Sequence, residues 1–349
     1  MKKNKILITG VAGFIGHHLA KNLSKLNFEI IGIDNINDYY DTNLKFERLK
    51  DLNIDTTSIF YNKNMVGDIR FYKLDLIDKE NIETLFNKEK FDYVVHLAAQ
   101  AGVRYSLVNP QAYIDSNVTG FLNILEAIRN NPVKHFIFAS SSSVYGLNKQ
   151  IPFKTEHHTD HPVSLYAATK KSNEMMAHTY AHLFHIPTTG LRFFTVYGPY
   201  GRPDMALNIF TKAILEEKEF DVFNFGKMSR DFTYVDDIVK SIEKLLPLFP
   251  QPNSEKYNSL NPKPHVSSSP YQLFNIGSNN PVKLMDFIKA IEKATKKKAR
   301  IKFKEMQPGD VESTYADVQD LFNFINFKPS TKIEDGISKF VEKFIELDV

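Results

Sequence analysis

The chain has 349 residues, 42% of them hydrophobic, enough to bury one large core or two closely packed domains. Its 44 basic and 41 acidic residues leave a net charge of +3, so neither nucleic acid nor an anionic membrane is expected as a partner. Cysteine is absent, which excludes a disulfide scaffold and a thiolate metal site and suits a reducing, cytoplasmic setting, and no run nears the ~20 apolar residues of a membrane span or the core of a signal peptide.

In chain order, short apolar runs alternate with longer amphipathic ones. Strands are predicted at 5–10, 29–34, 69–76, 92–99, 135–141 and 188–194, with helices at 14–26, 79–88, 110–131 and 164–184. Continuous apolar strands separated by helices predict an α/β fold, a doubly wound parallel sheet of the Rossmann type. Beyond residue 190 the pattern is less regular: a helix at 205–218, a strand at 220–226, a Pro/Ser/Asn-rich loop at 247–271, helical patterning at 281–297, a short IKFKE strand and a last helix at 333–346. The expected division is a dinucleotide-binding domain over 1–190, with returns near 233–246 and 272–277, and a smaller α/β substrate domain over 191–349. The basic run at 293–300 reads as a solvated helix end.

The first predicted strand runs into Gly10-Val11-Ala12-Gly13-Phe14-Ile15-Gly16 and then a helix. In such a turn the first glycine permits the tight bend, the second lets a diphosphate approach the backbone, and the third lets helix and strand pack closely. The helix N-terminus adds free N–H groups and a partial positive charge. A turn used only for packing is the alternative. Asp34 closes the second strand, 18 residues beyond Gly16, where a carboxylate accepts hydrogen bonds from the adenosine ribose and repels a 2′-phosphate, so NAD is favoured over NADP. Asp75, closing the third strand, is either an adenine contact or a solvated strand-end acid.

Tyr166 and Lys170 stand four apart, on one face of a predicted helix. An ammonium beside a phenol favours the phenolate and draws its titration from about 10 toward neutrality, within reach of general-base work. Ser140 to Ser143 end the preceding strand, where hydroxyls face a ligand crevice or form a solvated turn. No metal site is expected: neither HxxxH nor HExxH spacing is expected among the histidines, and adjacent pairs such as His17 and His18 or His157 and His158 diverge.

Taken together, GVAGFIG, LAAQAGVRYS, SSSSVYG, YAATK, LRFFTVYGP and RDFTYVDD, in that order over about residues 1–240, resemble the nucleotide-sugar epimerases of the extended short-chain dehydrogenase/reductase group. DNINDYYD, DHPVSLYAATKKSNE and LRFFTVYGPYGRPDMA are most similar to the UDP-glucuronate 4-epimerases. The resemblance implies an NAD enzyme in which Tyr166 takes the proton of the sugar 4-hydroxyl, Lys170 orients the nicotinamide ribose, and Ser141 assists proton transfer. It implies cofactor contacts from Phe14, Ile15, Asn35, Leu76, Leu97, Ala98, Ala99 and Asn117, besides Gly10, Gly13, Gly16, Asp34 and Asp75. For the UDP-sugar it implies an anion clamp from Ser142, Ser143, Thr195 and Arg202, with Arg104 a further anion contact. Leu207, Val222 and Phe223 would line the uracil site, Arg230 meet the diphosphate, and Asp310 hold ribose. Gln307 departs from the arginine common in galactose epimerases. Asp236 and Asp237 are expected to brace the fold, and Tyr145 is given no catalytic role.

Sugar 4,6-dehydratases of the group resemble STDEVYG at the serine run, with an acid and base that eliminate water, and UDP-glucuronate decarboxylases carry Glu at the position of Ser143. Ser142 and Ser143 cannot serve as carboxylic acids at neutral pH, which argues against both reactions. The alternatives are a UDP-glucose or UDP-N-acetylhexosamine epimerase and a non-catalytic NAD-bound regulatory protein. A homodimer formed through 110–131 and 164–184 is implied by the same resemblance.

Overall fold

The structure, a computed structural model, describes residues 3–252, 257–306 and 313–347. Its first elements are β1 (Asn4–Thr9), α1 (Phe14–Leu23), β2 (Phe28–Asp34), α2 (Asn43–Lys50), β3 (Asn64–Val66), β4 (Arg70–Lys73), α3 (Lys79–Glu89) and β5 (Tyr93–His96). Next come α4 (Pro110–Tyr113), a π-helical turn (Ile114–Thr119), α5 (Gly120–Asn130), β6 (His135–Ser141), α6 (Leu165–Phe184) and β7 (Thr188–Phe193). They are followed by β8 (Thr195–Tyr197), α7 (Ala206–Leu215), β9 (Glu219–Val222), β10 (Ser229–Tyr234), α8 (Val235–Leu245) and β11 (Tyr271–Ile276). The last are β12 (Pro281–Lys283), α9 (Leu284–Thr295), β13 (Arg300–Phe303), β14 (Ser313–Thr314), α10 (Gln319–Ile325) and α11 (Ile333–Glu346).

The large sheet has the order β11-β7-β6-β5-β1-β2-β4-β3. Strands β6, β5, β1, β2 and β4 run parallel, in register from Ile6 beside Ile30 to Val95 beside Ile137, and β3 closes one edge antiparallel to β4. The order builds outward from β1 in one direction through β2 and in the other through β5. The winding therefore reverses between β1 and β5, where the loops leaving the carboxyl ends part to form the ligand crevice of a doubly wound fold. Leu7, Ile31 and Val94 of the strands pack with Phe121, Ile124 and Ile128 of α5, all essentially inaccessible to water.

The chain forms two compact units: Met1–Asn148, Thr155–Arg192 and Ile242–Phe274 make the first, and Lys149–Lys154, Phe193–Ser241 and Asn275–Val349 the second. In the second, β10 lies between β12 and β14 and also pairs with β8, while β13 pairs with β9 in parallel.

Several elements differ from the sequence expectation for local reasons. The strand predicted at 69–76 leaves the sheet after Lys73, because Asp75 turns the chain by accepting the Ile77 amide at 3.1 Å. The helix predicted over 110–131 is three pieces: Asn109 caps α4, Pro110 occupies its first turn, and the π turn separates it from α5. The strand predicted at 220–226 stops at Val222, since Asn224 and Phe225 take left-handed conformations in a tight turn. Helix α2, NLKFERLK, is too polar to announce an apolar stripe, and β8 has only three residues.

Candidate active site

The glycine turn follows β1 as expected, and each of its three glycines is required on steric grounds. A Cβ on Gly10 would stand 2.8 Å from the Ala98 amide nitrogen, one on Gly13 would stand 2.9 Å from the Gly10 carbonyl oxygen, and one on Gly16 would overlap that same oxygen. Gly10 also has φ +73, in the region that glycine favours. Helix α1 then begins at Phe14 with no side-chain cap and no acidic residue in its first turn. This cradle fits the diphosphate of a dinucleotide, which backbone amides can approach only where no Cβ intervenes.

Asp34 is nearly buried at the end of β2. Its carboxylate accepts the Ala12 amide at 3.1 Å and the Ile36 amide at 2.8 Å, so it ties the glycine turn to the loop after β2. Asn35 donates to the Asp75 carboxylate at 2.9 Å, joining the loops after β2 and β4, with Leu76 beside them and buried. On the other flank of β1, the Ala98 amide donates to the Thr9 hydroxyl oxygen at 3.0 Å. That hydroxyl also hydrogen-bonds with Nδ1 of His96 at 2.9 Å. Burial drives His96 down to about 3, helped by the charge of Lys170. Leu97, Ala98 and Ala99 thus leave β5 along a fixed path.

The π turn serves Asn117. Its side chain accepts the Gln100 amide at 2.8 Å and donates to the Gln100 carbonyl at 3.1 Å and to the Thr169 hydroxyl at 3.1 Å. Its own carbonyl accepts the side chain of Asn173 at 2.5 Å. A π turn releases a backbone carbonyl from the regular helical pattern, and here α6 supplies the replacement donor.

Helix α6 starts where Ser164 accepts the Ala167 amide at 3.1 Å, an N-cap that puts Tyr166 in the first turn and Lys170 one turn later. The Tyr166 ring meets Tyr113 edge-on at 6.0 Å. Lys170 is 2% exposed; burial pushes it down to about 8, against a pull upward from Glu174. At the end of β6, the Ser141 hydroxyl oxygen accepts the Ser143 amide at 3.1 Å, so its own proton stays available to a ligand oxygen.

Behind these groups lies a buried ion pair that sequence reasoning missed. Arg192 of β7 bonds both carboxylate oxygens of Glu174, at 2.8 and 2.9 Å, and both side chains are inaccessible to water. Glu174 also accepts the Ser140 hydroxyl at 2.7 Å, fastening the serine run to the helix of Tyr166 and Lys170. Burial opposes the charge on Glu174, yet Arg192 holds the carboxyl below its ordinary range. The available signal was spacing: Glu174 falls one helical turn beyond Lys170 on the same face. Tyr145 takes part as well, accepting from Arg192 at 3.2 Å.

In the second unit, Leu207 and Val222 are buried and Phe223 is half-buried. Arg202 forms a two-pronged ion pair with Asp204 at 2.9 Å, the salt-bridge reading of its sequence. Arg230 donates to the Ser229 carbonyl at 2.8 Å, and Thr195 lies half-buried in β8. The brace of this unit is the fully buried Asp231, which takes the amides of Ser278, Asn279 and Ala316 and the Ser278 hydroxyl at 2.6 to 3.3 Å. Asp237 adds one bond, from the Thr331 amide at 3.0 Å. Asp310 and Gln307 lie outside the described residues. In the first unit Arg104 is exposed, at the start of a short helical turn.

Among the described residues no three His, Cys, Asp or Glu side chains gather as a metal site. His178 and His182 do stand four apart on α6, which corrects the expectation of no HxxxH spacing. Their rings stack at 6.4 Å, and they bond Ser267 and Ser269 at 3.0 and 2.9 Å. No helix among the described residues is long and apolar enough to cross a membrane.

The family described as GDP-mannose 4,6 dehydratase matches residues 7–340. The chain belongs to this extended short-chain dehydrogenase/reductase family of epimerases and dehydratases. Protein CapI of Staphylococcus aureus is 54% identical over 342 residues, 98% of either chain. A probable UDP-glucuronate 4-epimerase of Rhizobium meliloti is 43% identical, over 97% of this chain and 96% of the relative. Among solved structures, the UDP-glucuronic acid 4-epimerase of Bacillus cereus, in complex with UDP-glucuronic acid and NAD, superposes with a TM-score of 0.81 at 31% identity, covering 98% of this chain and 99% of that one. Ser142 and Ser143 form the turn after Ser141, with no carboxylate in it.

Proposed function

We propose that the chain is an NAD-dependent nucleotide-sugar epimerase that interconverts UDP-glucuronate and UDP-galacturonate by inversion at carbon 4. The observation that carries this reading is the Ser141-Ser142-Ser143 turn, set at the end of β6 and tethered through Ser140 to the helix of Tyr166 and Lys170. It offers hydroxyls where elimination or decarboxylation would call for a carboxylic acid.

NAD, held by the glycine turn, Asp34 and the loops beside them, would supply reversible redox chemistry at carbon 4 of the sugar. Tyr166, as phenolate, accepts the proton of the 4-hydroxyl and later gives it back. Lys170 supplies positive charge beside that phenolate, and its low-dielectric setting strengthens the effect. Ser141 donates a hydrogen bond to the reacting oxygen and keeps its proton. The 4-keto uronic acid is a β-keto acid, so its carboxylate must be held out of alignment with the carbonyl. Ser142 and Ser143 are assigned that task, together with Thr195 and Arg202, with Arg104 as a further anion contact. The glycine turn, Asp34, Asn35, Asp75, Leu76, Leu97 to Ala99 and Asn117 are assigned to NAD. Leu207, Val222, Phe223, Arg230 and Asp310 are assigned to UDP. Two copies are proposed to pair through residues 110–131 and 164–184, a reading supported by the exposed Ile114, Leu122, Met175 and Leu183.

Incubation with UDP-glucuronate and no added cofactor should yield UDP-galacturonate by chromatography. A UDP-pentose as the main product, or turnover of UDP-glucose alone, would replace the assignment. Tyr166→Phe should remove turnover, by a factor of about 10² or more, while bound NAD remains at the wild-type level. Full activity in that variant would overturn the role of Tyr166 as base.

A further inference from the structure

The loops on either side of the glycine turn meet across it. Sheet order places β1 between β2 and β5, so a contact between the loops leaving β2 and β5 must pass over the carboxyl end of β1. That contact is aromatic. Tyr39, from the loop after β2, packs on Tyr105, from the loop after β5, with ring centres 4.8 Å apart at 51°. Its hydroxyl also lies against Gly102, so closely that a Cβ there would overlap it. Gly102 has φ +94, which presents a bare Cα to the ring.

Both ends of the bridge are rooted. On the β2 side, the fully buried Arg48 donates to the Tyr40 hydroxyl at 2.6 Å and to the Ala12 carbonyl of the glycine turn at 2.9 Å. Tyr40 and Tyr39 meet edge-on at 5.9 Å. On the β5 side, the buried Tyr113 donates to the Ala101 carbonyl at 2.9 Å and to that of Gly102, and its ring lies 6.4 Å from Tyr105. Between two anchored ends, the contacts of Tyr39 with Tyr105 and Gly102 close the bridge.

We propose that Tyr39 and Tyr105 form a strap across the dinucleotide site which retains NAD from one turnover to the next. An epimerase returns the hydride that it takes, so its cofactor never has to leave, and slow release costs it no rate. The strap rests on the reading of the glycine turn as an NAD site. It is independent of which sugar is turned over, so failure of the UDP-glucuronate assay leaves its test intact.

The test is release of NAD from the purified full-length protein, followed by exchange against radiolabelled NAD, with bound nucleotide counted after gel filtration. Tyr39→Ala and Tyr105→Ala should each release NAD roughly tenfold faster than the parent, equivalent to about 1.4 kcal/mol and in line with the loss of one aromatic pair. Combining the two should add little, because each removes the same contact. Gly102→Ala, which drives the Tyr39 hydroxyl away, should release NAD faster while Tyr39 and Tyr105 are both intact. Tyr39→Phe should retain NAD nearly as the parent does. Parental exchange rates in both alanine variants would overturn the strap, as would fully additive effects in the double variant.

Discussion

The two units fasten their proposed ligand-facing residues differently. In the first, tethers join residues far apart in the chain: Ser140 to Glu174, Glu174 to Arg192, Ala98 to Thr9, Asn35 to Asp75, Asn117 to Thr169. In the second, Arg202 is held by Asp204 two residues away, and Arg230 bonds the carbonyl of its own neighbour. Long-range tethers fix a side chain only when the whole sheet is assembled, and then fix it firmly. A local ion pair between partly exposed groups contributes little by comparison. The residues proposed to meet NAD thus belong to the set with the longer tethers.

The sharpest way to break this contrast is Arg192→Leu. It removes the two-pronged partner of the buried Glu174 and leaves Lys171, at 3.4 Å, as its remaining cation, which should cost about 3–5 kcal/mol of stability in denaturant unfolding. A loss below about 1 kcal/mol would show that the buried pair is not what holds the serine run to α6. Acid should act on the same unit, with a smaller effect from each buried histidine. Burial holds His96 near about 3 and His135 near about 4, both below the ordinary histidine range. A lowered folded pKa means that the unfolded chain binds more protons, so stability falls as pH drops below about 6.5 and continues falling until the folded rings titrate. At pH 5 each should contribute a loss of about 2 kcal/mol, read as a lower urea midpoint than at pH 7. A midpoint that does not move would contradict the neutral, buried state of both rings. The smallest effect is expected in the second unit. Arg202→Ala should change stability by less than about 1 kcal/mol, because the Asp204 pair is partly exposed, while raising KM for the nucleotide sugar. An unchanged KM would confine Arg202 to its salt bridge.

Much of the first unit was legible because its signals are local. The run KILIT before three spaced glycines, Asp34 at the end of EIIGID, and the Tyr166 to Lys170 spacing each lie within a few residues. What sequence could not display were pairings that only the sheet brings together. Arg192 looks like one more polar residue in a strand until β7 sets it against Glu174, and Gly102 like a loop glycine until Tyr39 covers it. The second unit was less legible because its strands are short. Of these, β8 has three residues and β14 two, too few to show a period. Asp231 makes the same point. RDFTYVDD offers three acids, and nothing in their order reveals that the first is the buried hub while Asp237 makes a single bond to a backbone amide.

The π turn at Ile114–Thr119 can also be considered as a matter of phase. It winds more residues into a turn than the helix on either side, so the faces before and after it are out of step. Before it, Tyr113 reaches the carbonyls of Ala101 and Gly102; after it, Phe121, Ile124 and Ile128 face the core beneath the sheet. Deleting one residue from this segment would restore regular pitch, and then only one of the two faces could keep its direction. Evolution or a designer who shortens the chain here is choosing between the loop over the cofactor site and the packing of the core.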